Sequence, residues 1–177
     1  MAEFASVDPD NLLLQRADCG FTEVGSVAKL NLPTQGRGAL IADFNVDGLL
    51  DLMVINREAP VSVFRNLGAR SASAKQLGNW LAIELYQSGA NRQGVGARIE
   101  IKTSDSTQIR TVSVGGGHAA GTNGFVHIGL GEAKSARVRV RWPDGSWSED
   151  YSVLANRHAV LARESSVVSY WSSDTER

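Results

Sequence analysis

Eleven consecutive residues, 42–52, place oxygen-bearing side chains at regular intervals around a glycine. These side chains are Asp43, Asn45, Asp47 and Asp51. Counted from Asp43, they occupy positions 1, 3, 5 and 9, and Gly48 occupies position 6. A calcium ion takes about six to eight oxygen ligands from a loop that curls tightly around it. Glycine at the sharpest point avoids the strain that a Cβ would cause. The spacing therefore predicts a Ca²⁺ site, with the backbone carbonyl of Leu49 as a further ligand.

The flanks of this loop have the pattern of buried strands and not of helices. Residues 38–42 and 52–55 are apolar without a 3.6-residue period. Val54 stands where an EF-hand carries its bidentate glutamate. The alternative is a turn rich in Asp, Asn and Gly, which forms without any metal. The sequence favours calcium in a structural role, and zinc is disfavoured because the loop offers neither sulfur nor imidazole.

Length and composition are those of an ordinary globular protein. The chain has 177 residues, of which 42% are hydrophobic, and a net charge of −1. This charge gives no electrostatic argument for a nucleic-acid partner. No apolar run approaches the roughly 20 residues of a membrane span, and residues 1–10 show no signal-peptide pattern. Cys19 is the single cysteine, so it has no internal disulfide partner, and we expect a buried, inert thiol.

Short alternating apolar segments, separated by turn residues, predict an all-β chain. Glycine is abundant, with 18 residues against 4 prolines, as in proteins of many short strands. About seven strands are expected within residues 79–163, and their even spacing favours a β-sandwich or barrel. Residues 1–68 form a first β region, and the small, polar residues 69–78 form a linker. The serine-rich residues 164–177 are expected to be a tail.

Within the first region, residues 36–68 resemble an FG-GAP/VCBS repeat. The resemblance rests on Gly36-Arg37-Gly38-Ala39, on the oxygen-rich loop, and on Phe64-Arg65-Asn66. Such repeats are blades of β-propellers, as in integrin α-chains, with Ca²⁺ in each loop of this kind. A propeller needs about four to eight blades, and this chain has room for one and part of another. We therefore expect one propeller-type blade packed with the second region, and we consider a homodimer as the alternative.

The second region resembles the ASPIC/UnbV domain, which follows such repeats in cartilage acidic protein-like sequences. The resemblance is carried by Asn79-Trp80-Leu81, Asn91-Arg92-Gln93-Gly94-Val95-Gly96-Ala97-Arg98, Gly115-Gly116-Gly117, His127-Ile128-Gly129-Leu130-Gly131, Val138-Arg139-Val140-Arg141-Trp142-Pro143-Asp144-Gly145 and Asn156-Arg157. It spans about residues 79–163 and implies no established catalytic chemistry. Since relatives of this kind are mostly exported, the resemblance implies an extracellular or periplasmic location.

Two loops of the second region are candidate ligand-binding sites. Gly115, Gly116 and Gly117 could present consecutive N–H groups to an anion, with His118 as a titratable neighbour. The simpler interpretation is a tight connection in which glycine supplies a positive φ. The polar loop at Asn91-Arg92 could recognise a ligand, although an ordinary turn is favoured. The arginine row 137/139/141 could bind phosphate or acidic sugars, but a solvated strand face explains it more simply.

We therefore expect a non-catalytic, calcium-binding β module that binds a protein or a carbohydrate. One alternative is a carbohydrate- or small-molecule-processing enzyme with its site near the loop from Gly115 to His118, completed by Glu149 or Asp150. A second alternative is a structural part of a larger propeller protein. The three histidines are scattered, no Gly-x-Ser-x-Gly sequence occurs, and no Walker loop is present. These absences make an enzyme the less favoured hypothesis.

Overall fold

The computed structural model describes residues 10–16, 18–68, 77–116 and 121–172. Their regular structure consists of thirteen β-strands, and they contain no helix of the length and apolarity needed to cross a membrane. The described residues fall into two compact units. The first comprises 10–16, 18–44 and 50–66, together with 115, 116 and 121. The second comprises 45–49, 67–68, 77–114 and 122–172.

The first unit contains two small antiparallel sheets. One pairs β1 (Leu13–Gln15) with β2 (Phe21–Glu23), and the other has the order β3 (Gly36–Ala42), β4 (Asp51–Asn56), β5 (Ser62–Phe64). The second sheet has one strand fewer than the four of a typical propeller blade. Its central strand places Val54 in a buried position, 6% exposed. The oxygen-rich loop connects β3 with β4, as the apolar flanks predict.

Cys19 lies in the turn between β1 and β2 and is exposed. The expectation of a buried thiol is therefore wrong. The residue adopts a left-handed backbone conformation, with φ of 64°, in a turn whose Arg16 N donates a hydrogen bond to the carbonyl oxygen of Gly20, 2.8 Å away. A hairpin this short has no interior in which a side chain could be buried.

The second unit is a β-sandwich of two four-stranded sheets. Its strands are β6 (Asn79–Tyr86), β7 (Arg98–Lys102), β8 (Thr107–Thr111), β9 (Val126–Gly131), β10 (Ser135–Arg141), β11 (Tyr151–Leu154), β12 (Arg157–Ala162) and β13 (Val168–Trp171). Sheet A has the order β11-β10-β7-β8, and sheet B has the order β13-β12-β6-β9. The predicted all-β class is confirmed. Of the two predicted forms, sandwich and barrel, the described strands adopt the sandwich and do not close into a barrel.

The core of the sandwich is built from alternate residues of both sheets, because successive side chains of a strand point to opposite faces. The following members are fully buried: Leu81, Ile83, Ile99, Ile101, Ile128, Val138, Val140, Val153 and Leu161. Trp142 belongs to this core at 3% exposed, whereas Trp147 is 49% exposed. Alternation indicates the buried face correctly for β6, β7, β9 and β10, since only one register puts their apolar side chains on one side.

Sheet B contains two features that were not predicted. β6 and β12 pair in parallel, from Arg157 opposite Leu81 to Ala162 opposite Tyr86. The described part of residues 79–163 contains seven strands, β6 to β12, as predicted. β13 pairs with β12 as an eighth strand within the predicted tail. Four residues carry too little alternation to be distinguished from an irregular segment. Val168 of this strand packs against the core.

Candidate functional site

The tip of the oxygen-rich loop, residues 45–49, is shaped by its own polar side chains. Asp47 Oδ1 accepts a hydrogen bond from the Leu49 N–H at 3.0 Å, and Asp47 Oδ2 accepts one from Asn45 Nδ2 at 2.7 Å. Val46 and Gly48 adopt left-handed conformations with φ of 61° and 88°. These are the local bonds by which Asp and Asn stabilise turns. The tip is therefore curled as the spacing predicts.

In the first unit, Asp51 is a buried carboxylate at the start of β4. It is 3% exposed, and its two oxygens each accept a main-chain hydrogen bond. Oδ1 accepts from the Asn66 N–H at 2.7 Å, and Oδ2 accepts from the Phe44 N–H at 3.2 Å. A buried charge is tolerated only when it is paired or hydrogen-bonded, so Asp51 has a structural role whether or not a metal is bound.

The oxygen atoms that this loop offers are of the kinds that calcium binds. Carboxylate, amide and carbonyl oxygens are the ligands that a hard cation prefers, and a carboxylate oxygen that accepts one hydrogen bond keeps a second lone pair. The carboxylates of Asp47 and Asp51 are turned toward main-chain amides, and Asp43 is half-buried at the end of β3. Within the described ranges, no group of three or more His, Cys, Asp or Glu side chains could hold a metal ion. Calcium binding by this loop therefore stays a prediction.

The loop tip lies against an aromatic surface of the second unit. His127 Nε2 donates to the Gly48 carbonyl oxygen at 3.0 Å. Gly48 lies so close to Trp80 that a Cβ built on it would be 2.1 Å from the indole Nε1. Glycine is required here for two reasons, the positive φ and the missing space. The side chains of Trp80 and His127 thereby hold the backbone of the tip.

This aromatic surface crosses all four strands of sheet B, on the face opposite the core. The ring of His158 is 4.9 Å from Trp80, 4.9 Å from Phe125 and 5.5 Å from Trp171, and Trp80 stacks on His127 at 5.5 Å. Sequence reasoning missed the cluster. Alternation places His127 on the non-core face, but nothing in the sequence indicates that Trp80, His158 and Trp171 lie on neighbouring strands.

The glycine loop predicted as an anion site is only partly described. Gly117 and His118 lie outside the described residues. Gly115 and Gly116 are exposed, their φ angles are not in the left-handed region, and a Cβ on either would meet nothing within 4 Å. The need for a positive φ therefore does not explain these two glycines. Of the carboxylates proposed as partners of His118, Asp150 is paired with Arg137 at 3.5 Å.

The second candidate loop has a structural explanation. Asn91 Oδ1 accepts from the Val95 N–H at 2.9 Å, and Asn91 Nδ2 donates to the Val95 carbonyl at 2.9 Å. Gln87 Nε2 donates to the Asn91 carbonyl at 2.7 Å. Arg92 is exposed beside them. The side chain of Asn91 thus closes its own turn, while ligand binding by Asn91 and Arg92 stays a prediction.

A polar network at the same end of the sandwich is centred on Arg163. Its guanidinium donates to Gln87 Oε1 at 3.1 Å and to Ser146 Oγ at 2.9 Å, and it also donates to Asp144 Oδ2. The hydrogen bond from Arg163, followed by those from Ser146, lowers the pKa of Asp144 from 3.8 to about 2. Asp144 and Arg163 thus connect the turn after β10 with the end of β12.

This network predicts a pH dependence. Because the folded-state pKa of Asp144 lies below its unfolded value, the stabilisation is present above about pH 4 and is lost as the pH falls through about 2. Replacing Arg163 with glutamine is expected to raise the pKa of Asp144 toward its ordinary value. NMR titration of the Asp144 carboxyl carbon measures this change in pKa. The control variant is Arg157→Gln, which also removes one positive charge. An unchanged Asp144 pKa in Arg163→Gln would contradict the assignment.

Comparison with known proteins bears on this second unit. Residues 87–168 match the family called ASPIC and UnbV. This part of the chain is similar to the ASPIC and UnbV family. The match begins at residue 87, inside the predicted bounds of 79–163, and it ends beyond them at residue 168, the first residue of β13. It does not extend to residues 36–68, where the FG-GAP/VCBS repeat stays a prediction from the sequence pattern.

The chain is also similar to proteins named cartilage acidic protein 1. It is 33% identical to that of Homo sapiens over 133 residues, which cover 72% of this chain and 19% of the relative. The relatives from Mus musculus and Xenopus tropicalis are 33% and 32% identical over 117 residues, covering 63% of this chain and 17% of each relative. The chain therefore spans about a fifth of the length of these relatives.

Proposed function

We propose that the chain is a non-catalytic extracellular interaction module whose oxygen-rich loop binds Ca²⁺ as a structural ion. The observation that carries the proposal is the curled tip at residues 45–49. There the Asp47 carboxylate closes the turn, and Gly48 adopts a left-handed conformation with φ of 88°. The backbone curl is in place, so binding a cation requires that the carboxylates turn from the main-chain amides toward the ion.

The ligands in this proposal are the side chains of Asp43, Asn45, Asp47 and Asp51 and the carbonyl of Leu49. When bound, Ca²⁺ would supply positive charge that offsets the repulsion among three carboxylates. The role of the protein residues is to bind the ion and to orient the loop around it. Asp51 anchors the loop to β4 through its bonds to Phe44 and Asn66, and Asp47 fixes the tip. No proton transfer or nucleophilic step is part of the proposal.

The perturbed ionisable groups support the non-catalytic assignment. Lys102 lowers the pKa of Glu100 by hydrogen bonding, and Arg163 lowers that of Asp144. Burial raises the pKa of Tyr151 above 10.0. Each of these pKa values moves away from neutrality, whereas a general acid or base is most effective with a pKa near the working pH. The shifts are those of structural ion pairs and a buried phenol.

Calcium binding predicts a specific thermal stabilisation. In millimolar Ca²⁺, compared with EDTA, we expect a higher melting temperature, because an ion that binds only the native state at about 100 times its Kd adds about 2.7 kcal/mol. Asp47→Asn should weaken Ca²⁺ affinity by about tenfold or more, since it removes one ligand charge. The asparagine oxygen can still accept from the Leu49 N–H, so the EDTA melting temperature should change little.

The matched control is Asp105→Asn, which removes one carboxylate from the exposed hairpin loop between β7 and β8. Its Ca²⁺ affinity should equal that of the unaltered chain. Calorimetric titration with Ca²⁺ and with Mg²⁺ provides the affinities directly. If Ca²⁺ leaves the melting temperature unchanged and shows no binding heat, the loop is a turn without a metal and the calcium part of the proposal is wrong.

A further inference from the structure

The outer face of sheet A carries an excess of positive charge. Alternation along β7 and β10 directs five cations and one carboxylate away from the core: Arg98, Lys102, Arg137, Arg139, Arg141 and Glu100. The register places Lys102 opposite Arg137 and Glu100 opposite Arg139. Asp150 adds a second carboxylate beside Arg137. These residues are five cations and two carboxylates, in a chain whose net charge is −1.

The cations on this face are incompletely neutralised. Glu100 Oε1 accepts from Lys102 Nζ at 3.1 Å, while Arg139 Nη2 is 3.5 Å from the same oxygen. Arg137 Nη1 is 3.5 Å from Asp150. Arg139 Nε is buried and has no hydrogen-bond partner among the described residues. A guanidinium has five donors, and a buried donor without an acceptor costs free energy. The side chains of Arg137 and Arg139 are 60% and 40% exposed, so other donors of their guanidinium groups remain accessible to a further anion.

Two adjoining depressions give the face room for a ligand. The first, of about 120 Å³, is lined by Glu100, Lys102, Arg137, Arg139 and Asp150. The second, of about 450 Å³, shares Lys102 and Arg137 and is otherwise lined mainly by hydroxyl side chains, namely Thr103, Ser104, Thr107, Ser135 and Ser152. Hydroxyls both donate and accept hydrogen bonds. The second depression therefore suits a ligand rich in hydroxyl groups better than an apolar peptide side chain.

An exposed tryptophan adjoins the cations. The guanidinium carbon of Arg139 lies 4.2 Å above the ring of Trp147, whose exposed fraction is 49%. The cation–π contact holds the arginine in place and leaves part of the indole accessible. Positive charge, hydroxyl groups and an accessible aromatic ring therefore occur together on the outer face of sheet A.

We propose that the outer face of sheet A binds an acidic oligosaccharide. Its carboxylate or sulfate groups pair with Lys102, Arg137 and Arg139, and its hydroxyls bond with the serine and threonine side chains of the larger depression. The proposal rests on the interaction role inferred above, since it specifies the ligand class, but it does not rest on calcium. Its failure is distinguishable from failure of the calcium proposal, because the sugar-binding experiment is done in EDTA, where no Ca²⁺ is bound.

The test measures binding of the full chain to two fluorescently labelled oligosaccharides at low salt. Heparin fragments carry sulfate and carboxylate, and polygalacturonate fragments carry carboxylate alone. We expect Arg139→Gln to weaken binding by about tenfold or more, because it removes a charged hydrogen-bond donor from the anion. Arg137→Gln is the second variant, in case the first disturbs folding. Arg157→Gln removes the same charge from sheet B and should change affinity by less than about twofold.

Each outcome has a defined meaning. Binding of either sugar, with selective loss in Arg139→Gln or Arg137→Gln, supports the proposal, and the stronger ligand distinguishes sulfate from carboxylate recognition. Absence of binding to both sugars overturns it. Equal weakening by Arg157→Gln also overturns it, since long-range charge would then be sufficient. Equal affinity for oligo-dT or polyglutamate of the same charge would show that the face does not recognise sugars.

Discussion

Replacing Gly48 with alanine is expected to lower the free energy of unfolding of the second unit by about 1–3 kcal/mol more than replacing Gly89 with alanine. The two glycines have nearly the same backbone conformation, with φ of 88° and 89°, so the conformational cost of a side chain is similar. The two positions differ in the space available for a side chain. A Cβ on Gly48 would lie 2.1 Å from Trp80 Nε1, whereas one on Gly89 would meet nothing within 4 Å. The difference between the variants therefore isolates the clash.

Urea unfolding of both variants measures this difference, and the indole N–H resonance of Trp80 reports its cause. In Gly48→Ala the resonance should shift, because either the ring or the loop tip must move. In Gly89→Ala it should not. Equal unfolding free energies, together with an unshifted Trp80 resonance in both variants, would show that the loop tip does not press on Trp80.

The second large effect is expected for Asp51→Ala, which should destabilise the first unit by about 3 kcal/mol in EDTA. The substitution leaves the N–H groups of Phe44 and Asn66 without the carboxylate that now accepts from both, at 3.2 Å and 2.7 Å. A hydrogen bond to a charged group contributes about 1.5–3 kcal/mol, and a buried donor left without an acceptor costs a similar amount. Working in EDTA separates this structural role from any role in binding calcium.

Amide hydrogen exchange at Phe44 and Asn66 provides the most direct measurement. Because about 1.4 kcal/mol corresponds to a tenfold change, exchange at both amides should accelerate by about a hundredfold in Asp51→Ala. Asp51→Asn is the matched control. Its amide oxygen can accept from one of the two N–H groups, so one of the two amides should keep most of its protection. If both amides exchange at the original rate in Asp51→Ala, the carboxylate is not what holds them.

The strands could be predicted because their signal is local. The alternation of Val138 and Val140 with Arg139 and Arg141 specifies which side of β10 is buried, and it does so without knowledge of any partner strand. The same argument applies to Ile99 and Ile101 on β7. The turn chemistry at Asp47 and Gly48 is also local, because the hydrogen bonds that curl the tip connect residues two positions apart.

The aromatic surface could not be predicted because it depends on which strands are neighbours. His158 contacts Trp80, Phe125 and Trp171, and the parallel pairing of β12 with β6 brings two of these rings together. Parallel partners are joined by long connections that leave no turn signature. The exposure of Trp147 is also a tertiary property. It depends on where the segment after the turn at Gly145 crosses sheet A, and the hydrophobicity of the side chain does not determine that.

The sequence by itself determined the all-β class, the buried face of the sandwich strands, the curled oxygen-rich loop and the resemblance to the ASPIC and UnbV family. These features follow from residue types at fixed short spacings, where the backbone geometry of a strand or a turn leaves few choices. The tertiary structure alone decided how the strands pair, that Trp80 and His127 hold the tip at Gly48, and that Lys102, Arg137 and Arg139 share one face. Such groupings join residues far apart in the chain, and they become fixed only when burial of the common core selects one arrangement of the sheets.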